Sequence, residues 1–258
     1  MLEIKGLSAG YGRVEIIHSV DLKIDRGELV GVIGANGSGK STLLKSVIGI
    51  SSILGGDVTI DGKSALTMKG IERARLVSYL SQGRALSDMS VYDTVLSGRF
   101  SHLSFPRRYG ERDAEVARDA MRRVGIEDLA DKKMSLLSGG MRQRAYIAMA
   151  LAQDTDFILL DEPMTYLEIK NQLSLMRLLR ELTGEGRGVC AVMHDLALAF
   201  SFCYRIIVLD DGRIRAEGTP SELCHSEELK KSFGITLMET ECGYSYSSIS
   251  DFEVKNEV

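Results

Sequence analysis

The stretch Gly34-Ala35-Asn36-Gly37-Ser38-Gly39-Lys40-Ser41-Thr42 follows an unbroken apolar run, Leu29 to Ile33, and precedes the helix-forming Leu43-Leu44-Lys45. A glycine-rich turn between a strand and a helix lets successive backbone N–H groups converge on phosphate oxygens, at a helix N-terminus whose dipole favours negative charge. In that geometry the loop from Gly34 to Thr42 cradles the phosphates, Lys40 reaches the β and γ phosphates, and the Ser41 hydroxyl ligates Mg²⁺. Lys40 is expected to be exposed before nucleotide arrives.

A second group is Phe157-Ile158-Leu159-Leu160-Asp161-Glu162, an apolar strand that ends in two carboxylates. Asp161 at the strand end can hold the water shell of Mg²⁺, and Glu162 stands where an attacking water must lose its proton. A strand ending in acids is common, and only the phosphate loop gives this pair its meaning. The third group is Leu137-Ser138-Gly139-Gly140-Met141-Arg142-Gln143-Arg144, a helix start with a Ser N-cap and two glycines behind it. As a fragment it reads as an ordinary capped helix. One nucleotide does not need two anion-binding termini, so Ser138, Gly139 and Gly140 make sense if they cap a nucleotide held by another copy of the chain.

These groups require elements that present them. Alternating strands are predicted at Leu2 to Leu7, Val20 to Ile24 and Val58 to Ile60, the last before an Asp61-Gly62 turn. Continuously apolar strands, buried on both faces, are predicted at Leu29 to Ile33, Phe157 to Leu160, Val189 to Met193 and Ile206 to Leu209. The last three follow helix-like stretches, the pattern of a parallel sheet. Between about Ser90 and Gln153 lie three helical patterns: one opened by the capping box Ser90 to Asp93, one over Glu111 to Val124, and one over Gly139 to Ala152. Asp211-Gly212 joins two strands as a hairpin, and Thr219-Pro220-Ser221-Glu222 starts a helix. From Gly234 onward the pattern fades.

Composition narrows the partners. With 32 basic and 36 acidic side chains among 258 residues, the net charge of -4 gives no overall field to attract nucleic acid, so none is expected as a partner. The longest apolar stretch, Ala145 to Ala152, is far short of the roughly 20 residues that span a bilayer, and the start lacks a signal segment, so a cytoplasmic chain is expected. Cys190, Cys203, Cys224 and Cys242 are widely spaced and read as reduced apolar residues. The segment Arg99 to Arg144 holds eleven Lys or Arg against seven Asp or Glu. That excess is either a solvated face or a surface lying near an anionic inner leaflet and the loops of a membrane partner.

Taken together and in this order, the motifs resemble the nucleotide-binding subunit of an ATP-binding cassette transporter, over about residues 1 to 222. The resemblance implies an α/β fold: a P-loop NTPase core with a mixed sheet (about 1–89 and 154–222), an antiparallel β subdomain, and an inserted α-helical subdomain (about 90–153), with 223–258 as a C-terminal extension. It also implies an ATPase with ATP and Mg²⁺ as cofactors. Tyr11 matches the aromatic that stacks on adenine, Gln82 the glutamine that touches metal and attacking water, and His194 the switch histidine at the γ-phosphate. Alone, these three would be a strand-edge tyrosine, a surface glutamine and an unremarkable histidine. Catalytic roles thus fall to Glu162, His194, Gln82 and Lys40, and metal contacts to Ser41, Gln82 and Asp161.

The implied partners are a second copy of the chain, integral membrane permease subunits and, indirectly, an extracytoplasmic substrate-binding protein, with the chain peripheral on the inner face of the membrane. A narrower resemblance rests on Leu96 to His102, Thr165 to Gln172 and His194 to Ala199, which look like the ATPases of iron-siderophore, haem and cobalamin importers. Met141, Met164 and Glu168 stand where the family usually has Gln, Thr and Asp, and Glu168 puts turnover in question. Two rival readings remain: a non-transport cassette ATPase in assembly, such as iron-sulfur cluster biogenesis, and an ATP-binding regulatory module with attenuated turnover.

Overall fold

A computed structural model describes residues 1–83, 87–240 and 243–248. The chain runs through β1 (Leu2–Tyr11), β2 (Val14–Ile24), β3 (Leu29–Ile33), α1 (Lys40–Ile48), β4 (Ser52–Ile60), β5 (Lys63–Ser64), α2 (Gly70–Ala74) and β6 (Val77–Leu80). The helices α3 (Val91–Leu96), α4 (Glu111–Arg123) and α5 (Gly139–Ala152) come next, joined by short 3-10 turns. The order then alternates: β7 (Phe157–Asp161), α6 (Ile169–Gly184), β8 (Gly188–Val192), α7 (Leu196–Phe202), β9 (Arg205–Asp210) and β10 (Arg213–Gly218). Two short helices, α8 (Pro220–Leu223) and α9 (Glu227–Phe233), lead to the strands β11 (Ile235–Thr240) and β12 (Gly243–Ser248).

Two sheets carry the fold. One is antiparallel, ordered β2-β1-β4-β5; the other is ordered β10-β9-β3-β8-β7-β6, parallel except for β10 at its edge. Because side chains alternate along a strand, each parallel strand feeds two cores. Phe157, Leu159, Cys190, Val192, Val30 and Val32 face the antiparallel sheet and the buried stripe of α1, Leu43, Leu44 and Val47. Ile158, Leu160, Val189, Ala191, Ile206 and Val208 face α5 and α6. Arg26 ties the two sheets together from outside: it binds both oxygens of Asp61 at 2.7 and 2.8 Å and Asp156 at 2.8 Å, which holds the Asp61 carboxyl well below its usual range.

The predicted helix starts match the structure because each is a local signal. Ser90 accepts from the Asp93 N–H, Ser138 from Met141, and Thr219 from Glu222 in a reciprocal box with Pro220 inside the first turn. The free thiols of Cys190, Cys203 and Cys224 are buried, and burial pushes Cys190 up to about 12; Cys242 lies outside the described residues.

Two expectations need correcting. The antiparallel strands are longer than their alternation suggests, because register shifts at Ile4/Leu7 and Ala9/Gly10 break the period while pairing continues. The region after Gly234 is not patternless: β11 and β12 form a hairpin, Leu237 is buried, and Tyr244 meets Phe200 of α7 edge-on at 5.5 Å. Its apolar residues are few and lie among Thr, Ser and Glu, which hides the hairpin from a search for apolar runs.

Candidate functional site

The buried strand β3 delivers the chain to Gly34, where a Cβ would stand 2.1 Å from the Leu209 carbonyl oxygen. Gly39, the N-cap of α1, has φ 102°, and a Cβ there would meet Ile17 Cδ1 at 2.7 Å. The backbone conformation at Gly39 and the backbone carbonyl beside Gly34 each demand glycine in this loop. Inside it Lys40 is buried, which corrects the expectation of an exposed lysine: its ammonium donates to the carbonyls of Gly34 at 2.9 Å and Ala35 at 2.8 Å. The loop satisfies its own cation. Burial lowers the Lys40 pKa, while the Glu162 and Asp161 carboxylates pull it the other way.

Asp161 continues the face of β7 that looks toward α1 and is almost fully buried. Its Oδ1 accepts from the Ser41 hydroxyl at 2.9 Å and its Oδ2 from the Tyr79 hydroxyl at 3.0 Å. Glu162, just past the strand, adopts φ 53°, a left-handed conformation that turns its carboxylate away from the sheet. There it accepts from Gln82 Nε2 at 2.7 Å on one oxygen, and its other oxygen lies 2.6 Å from His194 Nε2. Asp195, the next residue, caps α7 by accepting from the Leu198 N–H.

A cleft of about 620 Å³ is lined by Asn36, Gly37, Gly39, Lys40, Ser41, Thr42, Gln82, Glu162 and His194, with Ile16 of β2 on its wall. Tyr11 is absent from that lining. It ends β1 opposite Val14, half-exposed, while the strand it pairs with supplies Ile16. Ser138, Gly139 and Gly140 also lie outside the cleft. Gly139 borders a neighbouring cleft of about 410 Å³ with Gln82, Arg142 and Tyr166, so Gln82 belongs to both spaces. The unusual residues divide: Met141 and Met164 pack partly against the core, whereas Glu168 is exposed at the N-cap of α6 and makes no side-chain capping bond.

The donor set suits a small hard cation bound with phosphate. Ser41 Oγ and Asp161 Oδ1 are oxygen donors side by side, and no cluster of three or more His, Cys, Asp or Glu occurs among the described residues. Mg²⁺ usually takes one or two protein oxygens and completes its shell with water and phosphate. Tyr79 is the residue that sequence reasoning missed. Its signal is a hydroxyl-bearing ring in the strand Val77-Ser78-Tyr79-Leu80, three residues before Gln82, but only the register Tyr79↔Leu159 sets it beside the face that ends in Asp161.

The chain as a whole is similar to known proteins. A family model described as ABC transporter matches residues 17–165. The chain is 38% identical to the petrobactin import ATP-binding protein FpuD of Bacillus anthracis, over 90% of this chain and 86% of that one. It is equally 38% identical to the ferric enterobactin transport ATP-binding protein FepC of Escherichia coli strain K12, with the same coverage. Among solved structures, the dimeric post-hydrolysis state of the ATP-binding cassette MJ0796 bound to ADP and Pi superposes with a TM-score of 0.76 at 29% identity, covering 85% of this chain and 99% of that one.

Proposed function

Because the chain belongs to the ABC transporter family, we propose that it is the ATP-hydrolysing subunit of an importer for iron-siderophore, haem or cobalamin-type metal chelates. The observation that carries this reading is Glu162 held between Gln82 and His194 on the rim of the cleft that contains Lys40. The relatives named for petrobactin and ferric enterobactin support the cargo class.

In this reading the Lys40 ammonium exchanges the carbonyls of Gly34 and Ala35 for phosphate oxygens, and the loop N–H groups of Gly37, Ser38 and Gly39 hold the same phosphates. Mg²⁺, when bound, would be held by Ser41 and Asp161 and would supply positive charge to the phosphates. Glu162 accepts the proton of the attacking water as the water oxygen bonds to the γ-phosphorus; the bond to the bridging oxygen breaks, and ADP leaves with the electron pair. His194 donates from Nε2 to the γ-phosphate once nucleotide draws it from Glu162, and Gln82 reports the state of the cleft to its neighbour. Tyr11 takes the adenine face after movement of the β1–β2 hairpin.

A second copy supplies Ser138, Gly139 and Gly140 across the nucleotide, so the working unit is a homodimer on the inner face of the membrane, bound to permease subunits and served indirectly by an extracytoplasmic substrate-binding protein. We divide the chain into a cassette over 1–222, with its core at 1–89 and 154–222 and its helical subdomain at about 90–153, and an extension over 223–258. No helix among the described residues is long and apolar enough to cross a membrane, so the translocation path belongs to the permease in this scheme. The test is reconstitution: vesicles holding the chain and its co-purified permease should take up a radiolabelled ferric chelate only with ATP and Mg²⁺. Hydrolysis without any co-purifying permease would instead favour the assembly role.

A further inference from the structure

Two adjacent carboxylates are each held by a group from the same strand end. Tyr79 on β6 donates to Asp161 Oδ2 at 3.0 Å, and Gln82, three residues on, donates to Glu162 Oε2 at 2.7 Å. We propose that Tyr79 is a positioning residue that fixes the Asp161 carboxylate for divalent-metal binding, so that β6 sets the metal carboxylate and the proton-accepting carboxylate together. The proposal rests on the assignment of Asp161 to the metal.

The geometry supports a role beyond packing. Asp161 is 1% exposed, so solvent does not fix the rotation of its carboxylate, and the two hydroxyls that do so take one oxygen each. Ser41 lines the cleft and shares its hydroxyl with whatever cation binds there, whereas Tyr79 is not among the lining residues. Asp161 is likewise absent from that lining and is bonded to both hydroxyls, so it links Tyr79 to Ser41. The parallel register Tyr79↔Leu159 explains the reach: Leu159 and Asp161 share one face of β7, and a phenol spans the remaining step along the strand where a serine or threonine at this position would fall short. A donor behind a metal-binding carboxylate fixes its orientation, and loss of such an outer partner typically weakens metal affinity about 10- to 100-fold.

The test measures metal binding directly. Tyr79→Phe keeps the ring and its packing and removes the hydroxyl. ADP affinity in EDTA, measured by calorimetry, should stay within about twofold of the parent, while Mn²⁺ affinity of the ADP complex, read from the free Mn²⁺ electron paramagnetic resonance signal, should fall about 10-fold. Asp161→Asn should weaken Mn²⁺ binding by itself, and adding Tyr79→Phe to it should cause little further loss, because the two act as a unit. Full Mn²⁺ affinity in Asp161→Asn would remove the assignment of Asp161 and the proposal with it. Weak binding in Asp161→Asn with parental binding in Tyr79→Phe would overturn the role of Tyr79 alone. Equal loss of metal-free ADP affinity in Tyr79→Phe would mark the residue as merely structural.

Discussion

The N-termini of α1 and α5 read alike in sequence, both glycine-rich and both suited to anions, yet the structure treats them differently. Around α1 the chain assembles Lys40, Ser41, Gln82, Glu162 and His194 from separate segments into one cleft. The start of α5 gathers no such set. Ser138 is consumed in capping its own helix, and Gly139 lies against the Tyr166 side chain, whose Cβ and ring would stand 3.4 and 3.6 Å from a Cβ placed there. A helix terminus is therefore a complete site only where other elements deliver charged groups to it. Alone, it is a surface for another molecule to complete.

That contrast can be broken most forcefully at the first terminus. Glu162→Gln should retain ATP binding and lower hydrolysis about 10²- to 10⁴-fold, because an amide cannot accept the water proton. Size-exclusion chromatography with ATP should then show an accumulated dimer. Turnover at the parental rate would remove Glu162 from its role. Lys40→Ala should lower hydrolysis about 10²- to 10³-fold through the lost phosphate contact. Its thermal midpoint should also fall, since the Gly34 and Ala35 carbonyls lose their donor. Undiminished ATP affinity by calorimetry would count against the loop assignment.

At the second terminus the expected effects are smaller and of another kind. Ser138→Ala should cost about 1 kcal/mol of stability from the lost cap. It should leave ATP affinity of the monomer unchanged while weakening the dimer that Glu162→Gln accumulates. A loss of monomer affinity equal to that of Lys40→Ala would erase the distinction between the termini. The mildest case is Glu168→Asp, which should raise kcat with little change in nucleotide affinity. Since Glu168 caps α6 without a side-chain bond, the shorter acid should also add about 0.5–1 kcal/mol of stability. Met141→Gln is the control, expected to change turnover less because its side chain packs partly against the core. Slower turnover in Glu168→Asp would show a native residue already matched to its surroundings.

Legibility in the sequence followed the range of each signal. The phosphate loop, the carboxylate-ended strand β7 and the caps at Ser90, Ser138 and Thr219 are written within a few consecutive residues, and the α/β class follows from their order. What escaped depends on contacts across the chain. The burial of Lys40 arises from the curl of its own loop, and the reach of Tyr79 needs the β6–β7 register. The C-terminal hairpin is held by Tyr244 against Phe200 and by buried Leu237, and its alternation is only two residues long on each strand, Ile235 with Leu237 and Tyr244 with Tyr246, too short to stand out among Thr, Ser and Glu. Glu162, Gln82 and His194 come from three separate segments, and the sequence places them on one cleft only through family resemblance.

The left-handed backbone at Glu162 sets folding and chemistry at odds in one position. A side chain other than glycine in that conformation costs about 1–3 kcal/mol, so a library screened for abundance alone would favour glycine or asparagine at residue 162 and count the native glutamate as a flaw. β-Branched replacements would be lost from the same library for a reason unrelated to catalysis. If Glu162 has the proposed role, thermostability engineering guided by such a screen would drift toward a well-behaved protein that holds its nucleotide without turning it over.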